Sequence, residues 1–99
     1  MSIDYNFEWN IEKARENKNK HEISFEEAAT VFTDPMALTI FDPDHSDGED
    51  RWITMGISNV GRLLVVVHTY RKENEQSSTI RIISSRRAGR QEQKEYGER

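Results

Sequence analysis

Apolar and polar residues alternate near the start of the chain in a way that predicts a strand followed by a helix. Residues 5–9 read Tyr-Asn-Phe-Glu-Trp, which has the period of a strand that buries one face. Asn10 is a favourable helix N-cap, because its side chain can accept a hydrogen bond from the first turn. We therefore expect a short strand over 5–9 and a polar helix from Ile11 to about Lys20.

A capping sequence and an apolar stripe predict a second helix. Ser24 provides a capping hydroxyl, and Glu27 is placed to return a hydrogen bond to the backbone of the cap. Four apolar residues at helical spacing share one face: Phe25, Ala28, Ala29 and Phe32. Asp34-Pro35 ends the helix, because the residue before a proline disfavours helical backbone. The apolar face should pack on a sheet.

Later segments rich in β-branched or aromatic residues predict further strands. They are 36–41, 52–57, 62–70 and 78–84. Turn-forming residues at 42–48 predict an exposed loop, and the polar stretch from Arg86 to about Tyr96 predicts a C-terminal helix. The strands from residue 52 onward should form an antiparallel meander, because only short turns separate them.

The order β-α-α-β-β-β-β-α predicts an α+β fold with a small antiparallel sheet, two N-terminal helices and one C-terminal helix. At 99 residues the chain has the size of one domain, spanning 1–99. Its longest apolar run, Leu63–Val67, is too short to cross a membrane, and the N-terminus has no signal-peptide pattern. With no cysteine as well, we expect a cytoplasmic protein that does not bind a membrane.

Charge is distributed unevenly along the chain. The net charge of −4 argues mildly against nucleic-acid binding. However, residues 1–50 carry a net charge of −9 and residues 51–99 a net charge of +5. Such asymmetry suits a chain with one anionic and one basic partner, although acidic helices that offset a basic sheet would give the same pattern.

The predicted strand over 62–70 assigns its residues to two faces. Arg62, His68 and Tyr70 share one face, where they could lie near a concave or partly exposed surface. The odd-numbered residues, from Leu63 to Thr69, are expected to be purely core.

Arg81 lies within a predicted apolar strand and therefore needs an anionic partner. One interpretation is a salt bridge to Glu49 or Asp50. The other is a bound phosphate, whose oxygens match the planar guanidinium. The excess of arginine over lysine in the basic half favours phosphate binding but does not locate the site.

His21 is the strongest candidate for proton transfer, because Lys20 and Glu22 flank it at a predicted element boundary. His45 lies among carboxylates in the acidic loop and is expected to be solvated, and His68 lies inside a strand.

The acidic loop matches a calcium-binding loop only in part. Asp42, Asp44 and Ser46 occupy the first three ligand positions. However, Asp47 stands where glycine is needed, and Ile53 stands where a bidentate glutamate is needed. The sequence therefore predicts neither a metal site nor a cofactor.

A series of short blocks runs through the chain. In the first half they are Phe7-Glu8-Trp9, Lys13-Ala14, Asn17, Lys20-His21, Ile23-Ser24-Phe25-Glu26-Glu27-Ala28, Val31-Phe32 and Asp34-Pro35. In the second half they are Glu49, Arg51-Trp52, Gly56, Ser58, Gly61-Arg62, Leu64-Val65-Val66, Ile80-Arg81-Ile82-Ile83-Ser84, Arg86-Arg87-Ala88 and Tyr96. In order and spacing the sequence resembles the BrnT toxin family nearly end to end. Asn10 and Ser85 depart from the aspartate and alanine usual there.

The resemblance implies a RelE-like fold and a metal-independent endoribonuclease that blocks translation. It also implies a BrnA-like ribbon-helix-helix antitoxin that silences the toxin. The complex would repress its own operon and contact operator DNA only through the antitoxin. In RelE-type cleavage a base activates the ribose 2′-hydroxyl, cations stabilise the transition state, and an acid protonates the leaving oxygen.

Candidate roles follow from these residues and from the resemblance. The catalytic candidates are His21, Lys20, Arg51, Arg62 and Arg81, and the RNA-binding candidates are Arg86, Arg87 and Tyr70. The alternative is a non-catalytic binding module, with structural arginines, that only sequesters an antitoxin or acts as a co-repressor.

Overall fold

The computed structural model describes residues 4–45 and 48–98, so Ser46 and Asp47 of the acidic loop lie outside the described residues. The helices and strands are β1 (Asp4–Glu8), α1 (Ile11–His21), α2 (Phe25–Thr30), β2 (Leu38–Asp42), β3 (Arg51–Ile57), β4 (Leu63–Lys72), β5 (Ser77–Arg87) and α3 (Arg90–Gly97). Short 3₁₀ turns follow α2 at Val31–Thr33 and β2 at Pro43–His45. The predicted α+β class is confirmed. None of the helices in the described part has the length and apolar content needed to cross a membrane.

The strands of the described residues form one sheet in the order β1-β5-β4-β3-β2. From β2 to β5 each strand pairs antiparallel with the next. The pairing of β3, β4 and β5 confirms the predicted meander, and β2 extends it. In contrast, β1 pairs in parallel with β5, from Asp4 beside Ser77 to Glu8 beside Arg81. The sheet is therefore mixed, and the prediction of an antiparallel sheet is wrong for β1. Because α1 and α2 separate β1 from the meander, no hairpin turn sets its direction.

One face of the sheet, which we call the covered face, packs against α1 and α2. Its core consists of Ile23, Phe25, Ala28, Val31, Leu64, Val66, Ile80 and Ile82. The 3₁₀ turn after α2 approaches β3 closely, since a Cβ at Gly56 would lie 2.9 Å from Cγ1 of Val31. Each large apolar side chain buried here stabilises the fold by about 1.5–3 kcal/mol.

The opposite face, which we call the open face, is covered by α3 at one end only. At that end Met55, Val65 and Ala88 are buried, with Tyr96 of α3 packed against them. The hydroxyl of Tyr96 also donates to Oδ2 of Asp34 at 2.6 Å, which fixes α3 to the segment after α2. The rest of the open face is not covered by α3.

The two faces of β4 are buried differently from the sequence-based expectation. Leu64 and Val66 on the covered face are fully buried, and His68 is only 3% exposed. Val67 and Thr69 on the open face are half-buried, so the odd-numbered residues are not purely core. The reason is that two helices cover one face, whereas a single short helix covers part of the other.

The boundary between β5 and α3 also differs from the prediction. β5 continues beyond residue 84 to Arg87, because Arg86 and Arg87 still pair with β4. The helix therefore begins at Arg90 rather than Arg86. Its start is set by the amide of Gly89, which donates to Oε1 of Glu92 at 2.8 Å.

Candidate active site

Two adjoining pockets lie between α1 and β5. The first has a volume of about 280 Å³ and is lined by Asn10, Lys13, Arg51, Arg81, Ile82 and Ile83. The second has a volume of about 150 Å³ and is lined by Lys13, Glu16, Asn17, Lys20, His21, Ile83 and Ser84. They share Lys13 and Ile83, and we call the two pockets together the cationic cleft.

A β-bulge in β5 lies at the centre of this cleft. His68 of β4 pairs with Ile82, and Val67 pairs with Ser84, so Ile83 is an extra residue in β5. A bulge interrupts the regular alternation of side chains and bends the strand. The alternation of residues 78–84 therefore predicts the directions of Arg81 and Ile82 but not that of Ile83.

The buried side chain of Asn17 joins α1 to β5 beside the bulge. Its Nδ2 donates to the carbonyl oxygens of Ile23 at 3.0 Å and Ser85 at 2.9 Å. Its Oδ1 accepts from the amide of Ser85 at 3.0 Å. Asn17 thus pairs with both backbone groups of Ser85, as a neighbouring strand would, and sets the position of α1 relative to β5.

Lys13 is a cleft residue that the sequence analysis did not single out for a functional role. Its amide donates to Oδ1 of Asn10 at 3.0 Å, so the predicted N-cap fixes the first turn of α1 beside Arg81 and Arg51. A signal was present in the sequence: Lys13, Lys20 and His21 lie at spacings that place them on one helix face.

Four of the five catalytic candidates line the cleft: Arg51 and Arg81 line its first pocket, and Lys20 and His21 line its second. With Lys13 they make a predominantly basic lining. Such a lining suits an anionic ligand, because several cations at close range neutralise phosphate charge. Among the described residues, no group of three or more His, Asp, Glu or Cys side chains could hold a metal ion.

Arg81 pairs with Glu49, which is one of the two interpretations drawn from the sequence. The Arg81 side chain is 41% exposed and the Glu49 side chain 44% exposed. An ion pair this open to solvent is weak, because water screens both charges. A phosphate group could therefore replace the Glu49 carboxylate on Arg81, so the two interpretations are compatible.

Arg62 lies away from the cleft. Its Nε donates to Oε2 of Glu27 in α2 at 2.9 Å, and the hydroxyl of Ser58 donates to the same oxygen at 2.8 Å. The guanidinium of Arg62 holds the pKa of Glu27 below its usual range, chiefly through this hydrogen bonding. Thr69 of β4 pairs with Arg81, and Arg62 lies roughly 20 Å from Thr69 along the chain of β4. Arg62 is therefore far from Arg81. Arg62 therefore has Glu27 of α2 as its ion-pair partner.

The three RNA-binding candidates do not line the cleft. Arg86 donates to both carboxylate oxygens of Glu92, at 2.7 and 2.8 Å, which lowers the pKa of Glu92 to about 2. Arg87 follows it and is exposed. Tyr70 is at the covered face, where its hydroxyl accepts from Ser78 Oγ at 2.9 Å. Their proposed contacts with RNA stay predictions.

The fold and the cleft define a small α+β protein with a basic pocket beside its sheet. Comparison with solved structures agrees with the fold. The structure is similar to that of the Brucella abortus ribonuclease toxin BrnT, with a TM-score of 0.54 and 20% sequence identity. The similarity covers 91% of this chain and 99% of that chain, and at this identity it establishes the fold alone. No sequence among curated proteins gives a significant match.

A family model described as the ribonuclease toxin BrnT of type II toxin–antitoxin systems matches residues 9–92. The chain therefore belongs to the BrnT family of ribonuclease toxins. The matched segment contains every residue that lines the cationic cleft.

Proposed function

We propose that this toxin cleaves RNA in the cationic cleft without a metal ion, as RelE-type toxins do, and so blocks translation in the cytoplasm. The observation that carries the proposal is that Arg51 and Arg81 line one pocket and Lys20 and His21 line the adjoining one, with Lys13 common to both. These groups can hold a phosphate and move a proton at neutral pH. RNA is the expected substrate, because only RNA carries the 2′-hydroxyl that can attack the neighbouring phosphate.

In the proposed reaction the 2′-oxygen forms a bond to phosphorus as it loses its proton, and the bond from phosphorus to the 5′-oxygen breaks as that oxygen gains one. Arg81 and Arg51 stabilise the additional negative charge on the phosphoryl oxygens of the transition state. His21 carries out one proton transfer, and Lys20 contacts the scissile phosphate. The products are a 2′,3′-cyclic phosphate and a 5′-hydroxyl.

Incubation of the purified protein with RNA in excess EDTA tests this proposal. We expect cleavage to continue, to fall about a hundredfold or more in Arg81→Ala, and to fall by about a hundredfold to ten-thousandfold in His21→Ala. Arg90→Ala is the matched control, because Arg90 is an exposed cation of α3. Parental rates in both cleft variants would remove these residues from the mechanism. Intact RNA under all conditions would favour the binding-module alternative.

The role of Arg62 can be separated from that of Arg81 by comparison with its partner. Arg62→Ala and Glu27→Gln both disrupt the pair between β4 and α2, so both should lower the free energy of unfolding. If Arg62 contacts RNA, only Arg62→Ala should also lose cleavage when both variants are folded. Equal cleavage by the two variants would assign Arg62 a structural role.

Membership of a type II family implies an antitoxin partner. We propose a BrnA-like ribbon-helix-helix protein that covers the cationic cleft with carboxylates and represses the operon together with the toxin. The contact between Glu49 and Arg81 supports this, because Arg81 of the cleft already pairs with a carboxylate of the same chain. Operator DNA would be contacted through the antitoxin.

A further inference from the structure

The outer edge of β2 is unusual for an exposed sheet edge. Natural edge strands are commonly protected by charged residues, because their unpaired backbone groups can bind another strand. At the other edge, β1 carries Asp4 and Glu8. The middle of β2 carries no charge, and Ile40 is 61% exposed and Phe41 41% exposed. Because these two residues point to opposite faces, the strand is apolar on both sides.

An apolar groove of about 110 Å³ lies beside this strand on the open face. It is lined by Leu38, Ile40, Ile53, Met55, Val65, Glu92 and Glu95. The apolar residues come from β2, β3 and β4, and the two glutamates come from α3. We call the groove together with the free edge of β2 the edge groove.

The rim of the edge groove carries two carboxylates, of which Glu92 is paired with Arg86 and Glu95 is not in an ion pair among the described residues. Arg86 keeps the pKa of Glu92 at about 2, so Glu92 stays ionised. Glu95 is exposed on the same side of α3. The surface therefore suits a partner that brings apolar and basic side chains together.

A second copy of this chain fits the edge groove poorly. Pairing of β2 with its own copy would add the sequence Leu-Thr-Ile-Phe-Asp, which contains no basic residue. Glu95 of α3 would then face no basic residue of the added strand, and the acidic N-terminal halves would be brought together.

We propose that the edge groove binds an extended segment of the antitoxin, which pairs with β2, places an apolar side chain beside Ile40 and directs basic side chains toward Glu95. The proposal rests on the toxin–antitoxin function and adds a second contact to the one proposed at the cationic cleft. Backbone pairing supplies affinity, and the groove and its acidic rim supply specificity. The antitoxin would thus bind with a basic segment at the edge and carboxylates at the cleft.

A pair of synthetic peptides tests the surface directly. The first is a fluorescein-labelled heptapeptide of valine with arginine at its second and sixth positions, which places one valine between two arginines on one face of a strand. The second has glutamate in place of arginine. We expect the arginine peptide to bind at least about tenfold more tightly, and its binding to shift the amide resonances of residues 38–42 and 53–55.

Point variants locate the binding. Ile40→Lys should abolish binding of the arginine peptide and lower the affinity of the antitoxin, and Glu95→Lys should weaken both. Glu26→Lys on α2 is the matched control and should change neither, since Glu26 is exposed at the other face.

Unchanged binding by Ile40→Lys, or resonance shifts at residues 81–84 instead, would overturn the proposal. The proposal would also be overturned if the toxin formed a dimer that Ile40→Lys dissociates and the arginine peptide leaves intact. RNA cleavage is measured separately, so loss of the proposed nuclease function would not be mistaken for loss of the groove.

Discussion

At the scale of single residues, the hydrogen bonding of Ser85 is incomplete. Its backbone amide and carbonyl both pair with Asn17, but its buried hydroxyl has no hydrogen-bond partner among the described residues. A buried polar group without a partner costs about 1–3 kcal/mol. The sequence comparison marks Ser85 as a departure from alanine, but only its burial explains why the departure matters.

Ser85→Ala should therefore raise the free energy of unfolding by about 1 kcal/mol, because it removes an unpaired hydroxyl and leaves both backbone bonds in place. Urea denaturation measures the change. Ser78→Ala is the control and should destabilise the protein, since the buried Ser78 hydroxyl donates to Tyr70. A Ser85→Ala protein no more stable than the parent would show that water satisfies the hydroxyl.

His68 makes stability depend on pH. Its Nδ1 lies 3.0 Å from the carbonyl oxygen of Thr69 and its Nε2 lies 2.7 Å from Oγ1 of Thr54, as in a neutral ring that donates through Nδ1. Burial holds the pKa of His68 below its ordinary value, against the opposing effect of the Thr69 bond. The unfolded chain therefore takes up a proton at a higher pH than the folded protein does.

We expect the stability due to neutral His68 to be complete above about pH 6.5 and to be lost as the pH falls below that value. Denaturation from about pH 8 to about pH 5.5 should show a smaller loss for His68→Gln than for the parent. Equal losses would mean that His68 accepts a proton in the folded state without cost.

Part of the lining of the candidate site could be predicted from the chemistry of single residues. Arg81 was identified because a charge on an apolar strand needs a partner, and His21 because it lies at an element boundary. Sequence did not reveal that Arg62 has Glu27 as a partner, since their contact joins residues far apart in the chain. Lys13 was overlooked because its role depends on how α1 lies against β5.

At the scale of elements, Asn17 is the main polar link between α1 and β5. Replacement by alanine would leave the amide and carbonyl of Ser85 without partners in a buried place. We expect Asn17→Ala to lower the free energy of unfolding by roughly 3 kcal/mol, and to slow RNA cleavage because the two sides of the cleft separate.

The exposed Asn19 of the same helix provides the control for this prediction. Asn19→Ala should change stability by less than about 0.5 kcal/mol. Thermal and urea denaturation, with cleavage assayed well below the unfolding temperature, distinguish the two effects. If Asn17→Ala behaves like Asn19→Ala, the link does not hold the cleft together.

The elements themselves were largely predictable, because alternation and capping are local signals. Asn10 and Ser24 cap their helices as expected, and the meander has the predicted order. The parallel pairing of β1 and the bulge at Ile83 were not predictable, since both depend on contacts between distant segments. The extension of β5 through Arg87 was missed because polar residues were interpreted as helical.

At the scale of the whole molecule, the toxin presents a basic cleft and an apolar groove bordered by carboxylates. The cationic cleft lies between α1 and β5, and the acidic rim of the edge groove lies on α3. This arrangement matches the asymmetry of charge along the sequence only in part, because Lys13 and Lys20 come from the acidic half and Glu92 and Glu95 from the basic half.

Binding of the antitoxin should become slower as salt concentration rises, because opposite charges steer the two proteins together and salt screens them over about 10 Å at 0.1 M. Stopped-flow measurement across a salt series gives the association rate. Arg81→Ala should lower that rate at low salt, and Arg90→Ala should lower it less. A rate that is independent of salt and of both substitutions would place the antitoxin away from the cationic cleft.

The link between Asn17 and Ser85 also determines when the cleft can exist. The two residues are 68 positions apart, and α1, α2 and β1 all pack against or pair with β5, the last strand to be synthesised. Contacts over such separations form slowly, because the chain must close a long loop before it gains their energy. While a ribosome is making this protein, Asn17 has no partner until Ser85 of β5 has been synthesised. The proposed catalytic surface includes Arg81 and Ile83 of β5, so it is complete only after β5 has emerged.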